Sequence, residues 1–143
     1  MSQKILAKVE ASSLKSEVPR FAIGDTVDVH TRILEGEKER ILRGLGYRIV
    51  GRRERVLRGD IDLVALDGRT VVFVEVRSRT DTLHGHPAET VGPRKQRRIA
   101  ELATAYIRRH RLEDCQVRID VVTVTFGTPP IVEHFQNAFD SPW

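Results

Sequence analysis

The chain has 143 residues, 40% of them hydrophobic and 31% charged, with 24 Lys and Arg against 20 Asp and Glu. That length suits one domain with an appendage, and no apolar run approaches the roughly 20 residues that cross a bilayer. The amino-terminal MSQKILAKVEASS lacks the order of a secretory signal, and the single cysteine, Cys115, permits no intrachain disulfide, so a reducing, cytoplasmic setting is expected.

The basic excess is uneven. Residues 1–40 carry seven basic and seven acidic side chains, whereas the rest carries 17 and 13, with sixteen arginines and Lys95 as its one lysine. In chain order, Ile5, Leu6 and Val9 can share one face of a short helix, which Ser12, Ser13 and Pro19 end. Val27, Val29, Thr31 and Ile33 then alternate with polar residues as in a half-buried strand. Glu37 to Arg43 has helical propensity and is stopped by Gly44 and Gly46. From Tyr47 the pattern is denser: a strand whose exposed side carries Arg52, Arg53, Arg55 and Arg58, a turn at Gly59, then IDLVAL. Asp67-Gly68 is a hairpin signal, and VVFVEV after it reads as a strand buried on both faces. Asp81 to Gly92 is read as a long loop. Pro93 suits the first turn of a helix with a core stripe of Ile99, Leu102, Ala103, Tyr106 and Ile107, and with a basic opposite face of Arg94, Lys95, Arg97, Arg98 and Arg108. Strands follow at Val117–Val124, containing Asp120, and at Ile131–Phe135. The order β-β-β-α-β-β predicts an α/β fold, a mixed sheet flanked by helices.

Chemistry concentrates on the hairpin. Glu75, Arg77 and Phe73 share one face of their strand, and Asp60, Asp62 and Val64 share one face of the preceding strand. A two-residue loop at Asp67-Gly68 places Asp60 opposite Glu75 with Asp62 diagonal; a four-residue register places Asp62 directly opposite Glu75; a three-residue loop with a bulge changes both. Neighbouring carboxylates in an apolar hairpin oppose each other's ionisation and call for a cation. Either an arginine such as Arg77 pairs with them, or a divalent ion with oxygen ligands does, which can polarise a phosphodiester and activate water. His84 and His86 offer two further nitrogens, with no third ligand at a telling spacing. Arg52, Arg53 and Arg55 suit either phosphate contact or a solvated edge strand. Cys115 shows no sign of activation as a nucleophile.

The runs LRGLGYRIV, RGDIDLVALDG, VVFVEVRSRT, PRKQRRIAELATAYI and VRIDVVTV resemble the YraN-type bacterial family, itself similar to the restriction-endonuclease-like PD-(D/E)xK superfamily, from Leu42 to Phe139. The resemblance implies Asp62 and Glu75 as metal ligands for Mg²⁺ or Mn²⁺. Arg77 would stand at the motif's lysine position, with Asp62, Glu75 and Arg77 forming the catalytic set. Arg94, Lys95, Gln96, Arg97 and Arg98 would form the nucleic-acid-binding start of the flanking helix. Asp120 matches an acidic position in the late strand, and Asp60 a position commonly Glu. Two departures stand out: an arginine does not readily accept a proton, and the helix before Gly46-Tyr47 is short, so neither Glu37 nor Glu39 is assigned the inward acidic role.

Leu14 to Ile41, LKSEVPRFAIGDTVDVHTRILEGEKERI, resembles instead the opening of bacterial large-subunit ribosomal protein nineteen, whose small barrel binds ribosomal RNA. The chain is thus expected to join two sequence origins: residues 1–40 as a partly ordered fragment that is no independent domain, and 41–143 as the endonuclease-like domain. The expected function is a metal-dependent nuclease acting on DNA, in preference to RNA, or on structured nucleic acid, without membrane contact. The alternatives are a non-catalytic nucleic-acid-binding module and, less favoured, ribosome association through the head.

Overall fold

The computed structural model describes residue 36 and residues 38–79 and 91–140. The head helix near Ile5, the strand Val27–Ile33, His84, His86 and most of the Asp81–Gly92 loop lie outside the described residues. A short helix, α1, covers residues 38–44, and glycine chemistry ends it. Gly46 takes φ 89°, a conformation that costs other residues a Cβ clash. The Gly46 N–H then donates to Arg43 O, and the Tyr47 N–H to Leu42 O, both at 2.9 Å. This paired closure brings Tyr47 back against Leu42 in one buried cluster.

Five strands follow in a single sheet whose spatial order is the sequence order: β1 (Arg48–Val56), β2 (Gly59–Asp67), β3 (Thr70–Arg79), β4 (Gln116–Thr125) and β5 (Ile131–Phe135). All neighbours are antiparallel except β3 and β4, which run parallel and are joined through the helix α2 (Pro93–His110). The expected α/β mixed sheet flanked by helices is therefore present, in the expected order of elements.

Alternation along the strands builds two cores. Val64, Leu66, Val71, Phe73, Ile119 and Val121 face α2, which buries all five residues of its anticipated stripe against them. Leu63, Ala65, Val72, Val74 and Val122 face the other way, onto Leu42 of α1 and Tyr47. The central strands β2 and β3 are thus covered on both sides. The hairpin between them turns on Gly68 and Arg69, of which Gly68 alone has a positive φ, 58°. Asp67 pairs with Thr70 and Leu66 with Val71. The two-residue loop is one position later than Asp67-Gly68, and it gives the register of the four-residue alternative.

Leu42 is completely buried although α1 is short. Leu42→Ala is expected to lower stability by about 2–5 kcal/mol through loss of transfer energy and the cavity left behind. A fall in the urea midpoint at unchanged m-value checks this; a change under about 0.5 kcal/mol would mean that α1 is not an integral layer.

Candidate active site

The site forms where β2 leaves the regular ladder. On the β1 side the register passes from Arg52↔Leu63 to Glu54↔Ile61 and skips Arg53, which has φ 46°. On the β3 side the ladder ends at Leu63↔Val74. Asp62 lies at this break, and continuing the register by one residue puts it opposite Glu75. Its Oδ2 accepts a hydrogen bond from the Val76 N–H at 2.8 Å, so the carboxylate takes the place of a strand carbonyl. Asp62 shares the α2 face with Val64 and Leu66 by strand alternation, while Ile61, which alternation would put with Leu63 and Ala65 on the other face, turns toward α2 as well. A local irregularity of this kind re-aims side chains.

Glu75 follows Val71 and Phe73 on the α2 face and is only 7% exposed. Burial first, and then the Asp62 charge, push its pKa up, while Lys95 and Arg77 pull the other way without reversing the shift. Asp60, Asp62 and Glu75 line a recess of about 10 Å³ floored by Phe73, Ile99 and Leu102. That is space for roughly one water molecule or ion. Among the described residues no group of three or more His, Cys, Asp or Glu gathers to hold a metal. The two facing carboxylates nevertheless fit a hard cation such as Mg²⁺, which commonly takes one or two protein carboxylates and completes its shell from water and phosphate.

Helix α2 supplies the cations. It starts at Pro93 with no acidic residue in its first turn. Arg94 and Arg97 are exposed. Arg98 pairs with Glu101 at 3.2 Å. Lys95 differs from the outward basic face with which its sequence position groups it. It stands one turn before Ile99 on the core side, and its Nζ lies 3.2 Å from Glu75 Oε1. The Gln96 side-chain amide donates to Val91 O at 2.7 Å and so braces the start of the helix. Glu39, on the α1 side of the sheet, pairs with Arg52 and Arg43, away from the Asp62–Glu75 face.

A second polar cluster occupies the opposite face. Asp120 pairs in register with Val74, so its side chain points away from Glu75. It is fully buried and completely partnered. Oδ1 accepts from Arg118 Nε and the Asn137 N–H, both at 3.0 Å, and Oδ2 lies 2.8 Å from His134 Nε2 and accepts from Tyr47 Oη at 3.4 Å. Arg118 also reaches Asp67 at 2.9 Å and the Tyr47 hydroxyl, onto which Gln136 Nε2 donates at 2.7 Å. Burial alone would raise the Asp120 pKa, but the hydrogen bonds from His134, Arg118 and Asn137 outweigh it and hold the group below the usual carboxylate range. Burial, and then the Asp120 charge, push the Tyr47 hydroxyl up, so it remains a donor.

The model of the uncharacterised protein family UPF0102 matches residues 34–124. The chain belongs to that family. UPF0102 proteins of Anaeromyxobacter dehalogenans, Chromohalobacter salexigens and Geobacter sulfurreducens are 52%, 46% and 43% identical to it. These matches cover 66%, 80% and 69% of this chain and 72%, 94% and 79% of the relatives. The ribosomal protein L19 model matches residues 4–61, so this UPF0102 chain carries similarity to two families that overlap at 34–61. Among solved structures, that of Pyrococcus furiosus SfsA in complex with Ca²⁺ overlaps 70% of this chain and 58% of its own length, at 14% identity and TM-score 0.33.

In this UPF0102 chain the sequence reading brought Asp62, Glu75 and Arg77 together correctly on one face, but it did not find the Asp120 network. The signal was present as two charged residues, Arg118 and Asp120, at alternate positions of a strand that carries no other charge. For Asp120, a lowered folded pKa means stability that is present above the unfolded value of about 3.9 and lost as pH falls through the folded value. Asp120→Asn is expected to cost about 3–5 kcal/mol at neutral pH, because it leaves Arg118 and its partners under-compensated in a buried setting. It should also flatten the loss of stability below about pH 4. Chemical denaturation of both proteins across acid pH checks both effects; parallel acid limbs would exclude Asp120 as their source.

Proposed function

We propose that the Asp62–Glu75 pair holds Mg²⁺ or Mn²⁺ and that the domain is a metal-dependent nuclease acting on DNA or structured nucleic acid. The observation that carries this reading is a buried carboxylate, Glu75, facing a second carboxylate at a break in the sheet, with a basic helix end above both. A purely structural pair would be expected to be neutralised, as Asp120 is. Glu75 instead keeps a raised pKa with Lys95 and Arg77 nearby, so the fold leaves room for more positive charge.

A divalent cation held there supplies Lewis-acid polarisation of a phosphodiester and lowers the pKa of water at the site. The chain's own residues do the rest. Asp62 is fixed in orientation by the Val76 N–H, so one ligand is preorganised. Arg77, permanently charged, stabilises the negative charge that grows on the phosphate during displacement. Arg94 and Arg97, exposed at the start of α2, hold flanking phosphates and set the position of the strand without reading its sequence. Phosphate contacts of this kind make affinity fall steeply with salt. A second reading, nucleic-acid binding without cleavage, is favoured by the Lys95–Glu75 ion pair, which already partly neutralises one carboxylate.

Asp62→Ala and Glu75→Ala are expected to abolish Mn²⁺ binding by calorimetry together with Mn²⁺-dependent cleavage of DNA. Arg77→Ala should reduce cleavage by about 10²-fold, in the range of losing one preorganised charge donor, while Arg77→Lys retains it. Wild-type protein that binds neither Mn²⁺ nor nucleic acid overturns the reading. Salt-sensitive binding without cleavage replaces it with the binding module.

A further inference from the structure

Lys95 is the one lysine between Ile41 and the carboxyl end, in a stretch that otherwise uses arginine for every basic position. Its placement is as distinctive as its type. It precedes the buried Ile99 by one turn and the buried Leu102 by two, on the inward arc of α2 and in the first turn of the helix. Its side chain is 47% exposed, while the Glu75 side chain that it meets at 3.2 Å is 8% exposed. The ion pair thus has one fixed, buried partner and one partner on a flexible four-carbon stem open to solvent. Arg94 and Arg97, which bracket it, face solvent instead of Glu75.

We propose that Lys95 is a tethered counter-cation that occupies Glu75 in the free protein and transfers to a phosphate when nucleic acid arrives, so that divalent-metal and nucleic-acid binding are coupled. This rests on the reading of Asp62 and Glu75 as the metal pair. An ammonium on Glu75 Oε1 and a divalent ion on the same carboxylate repel one another and compete for the same oxygens. Metal binding to the free protein must therefore displace Lys95. A phosphodiester placed against the start of α2 offers the ammonium an alternative anion. Its departure frees Glu75 just when phosphate oxygens become available to complete the metal's shell. Coupling is reciprocal: the factor by which nucleic acid strengthens metal binding is the factor by which metal strengthens nucleic-acid binding. A guanidinium at this position would bind the carboxylate in a bidentate, less yielding way, which gives the choice of lysine a physical reason.

The test is Mn²⁺ binding to the whole chain, read by the electron paramagnetic resonance signal of free Mn²⁺, with and without a short DNA duplex. The Asp62→Ala protein with the same duplex serves as the baseline for metal on DNA. In wild type the duplex is expected to tighten Mn²⁺ binding by about tenfold, within the ordinary range of coupling between sites. Lys95→Met should bind Mn²⁺ more tightly than wild type in the absence of DNA and show little further gain when the duplex is added. Lys95→Gln, which keeps a polar side chain, should behave the same way, so that one poorly folded variant does not decide the matter. Wild type that binds Mn²⁺, with either variant folded and binding it equally or more weakly, overturns the coupling and leaves the Asp62–Glu75 reading standing. Absence of Mn²⁺ binding in wild type and both variants, with and without duplex, overturns both.

Discussion

A carboxylate on a strand that is covered on both faces is largely shielded from water, and the chemistry around it depends on what neutralises it. Glu75 is in that position because β3 lies between β2 and β4, with α2 on one side and the Leu42–Tyr47 cluster on the other. Burial, together with Asp62 opposite, raises its pKa. Its proton is therefore held more tightly in the folded chain than in the unfolded one. The stability linked to that group is present at acid pH and is lost as pH rises through the folded value. A positive charge beside the carboxylate offsets this cost, as the Lys95 ammonium does at 3.2 Å.

The opposite face shows what full compensation looks like. Asp120 is more deeply buried than Glu75, but its oxygens meet Arg118, His134, Tyr47 and the Asn137 N–H, and its pKa falls. Two acidic residues on neighbouring strands thus acquire opposite shifts from the number of donors around them, not from their depth. The Asp120 network also ties β5 and the segment after it to β4 and, through Tyr47, to the end of α1. It provides a polar clamp beside the apolar clusters that these elements share. The sheet carries its structural charge on one face and its candidate chemistry on the other, so the two electrostatic problems do not interfere.

How much of this the sequence disclosed follows from which contacts are local in pattern. The hydrophobic periods of β2, β3 and α2 are long and regular, and the elements and the core stripe Ile99, Leu102, Ala103, Tyr106 and Ile107 could be read from them. The shared face of Glu75 and Arg77 follows from strand alternation alone. The hairpin register did not, because Asp67-Gly68 fits several turns. Pairing of Asp67 with Thr70, which places Asp62 opposite Glu75, depends on Gly68 and not Asp67 being the first turn residue. The inward aim of Lys95 was hidden because a helix end lets a long side chain curl under the core stripe, where its charge suggests the outward face. The Asp120 network joins residues 47, 67, 118, 120, 134, 136 and 137, separations that no local pattern encodes.

Both family matches cover residues 34–61. Residues 34–61 supply α1, β1 and the start of β2. From α1 the fold needs the buried Leu42, the left-handed Gly46 and the returning Tyr47. From β1 it needs an edge strand, and an edge strand rich in arginine resists pairing with other chains. Among the described residues, the buried core positions of this region, Leu42, Tyr47, Val56 and Ile61, all follow residue 41. Glu39 reaches forward through its ion pairs to Arg43 and Arg52, and those contacts lie on the α1 side, remote from the candidate metal pair. The described part of α1 therefore bears on the Leu42–Tyr47 core and not on the Asp62–Glu75 face.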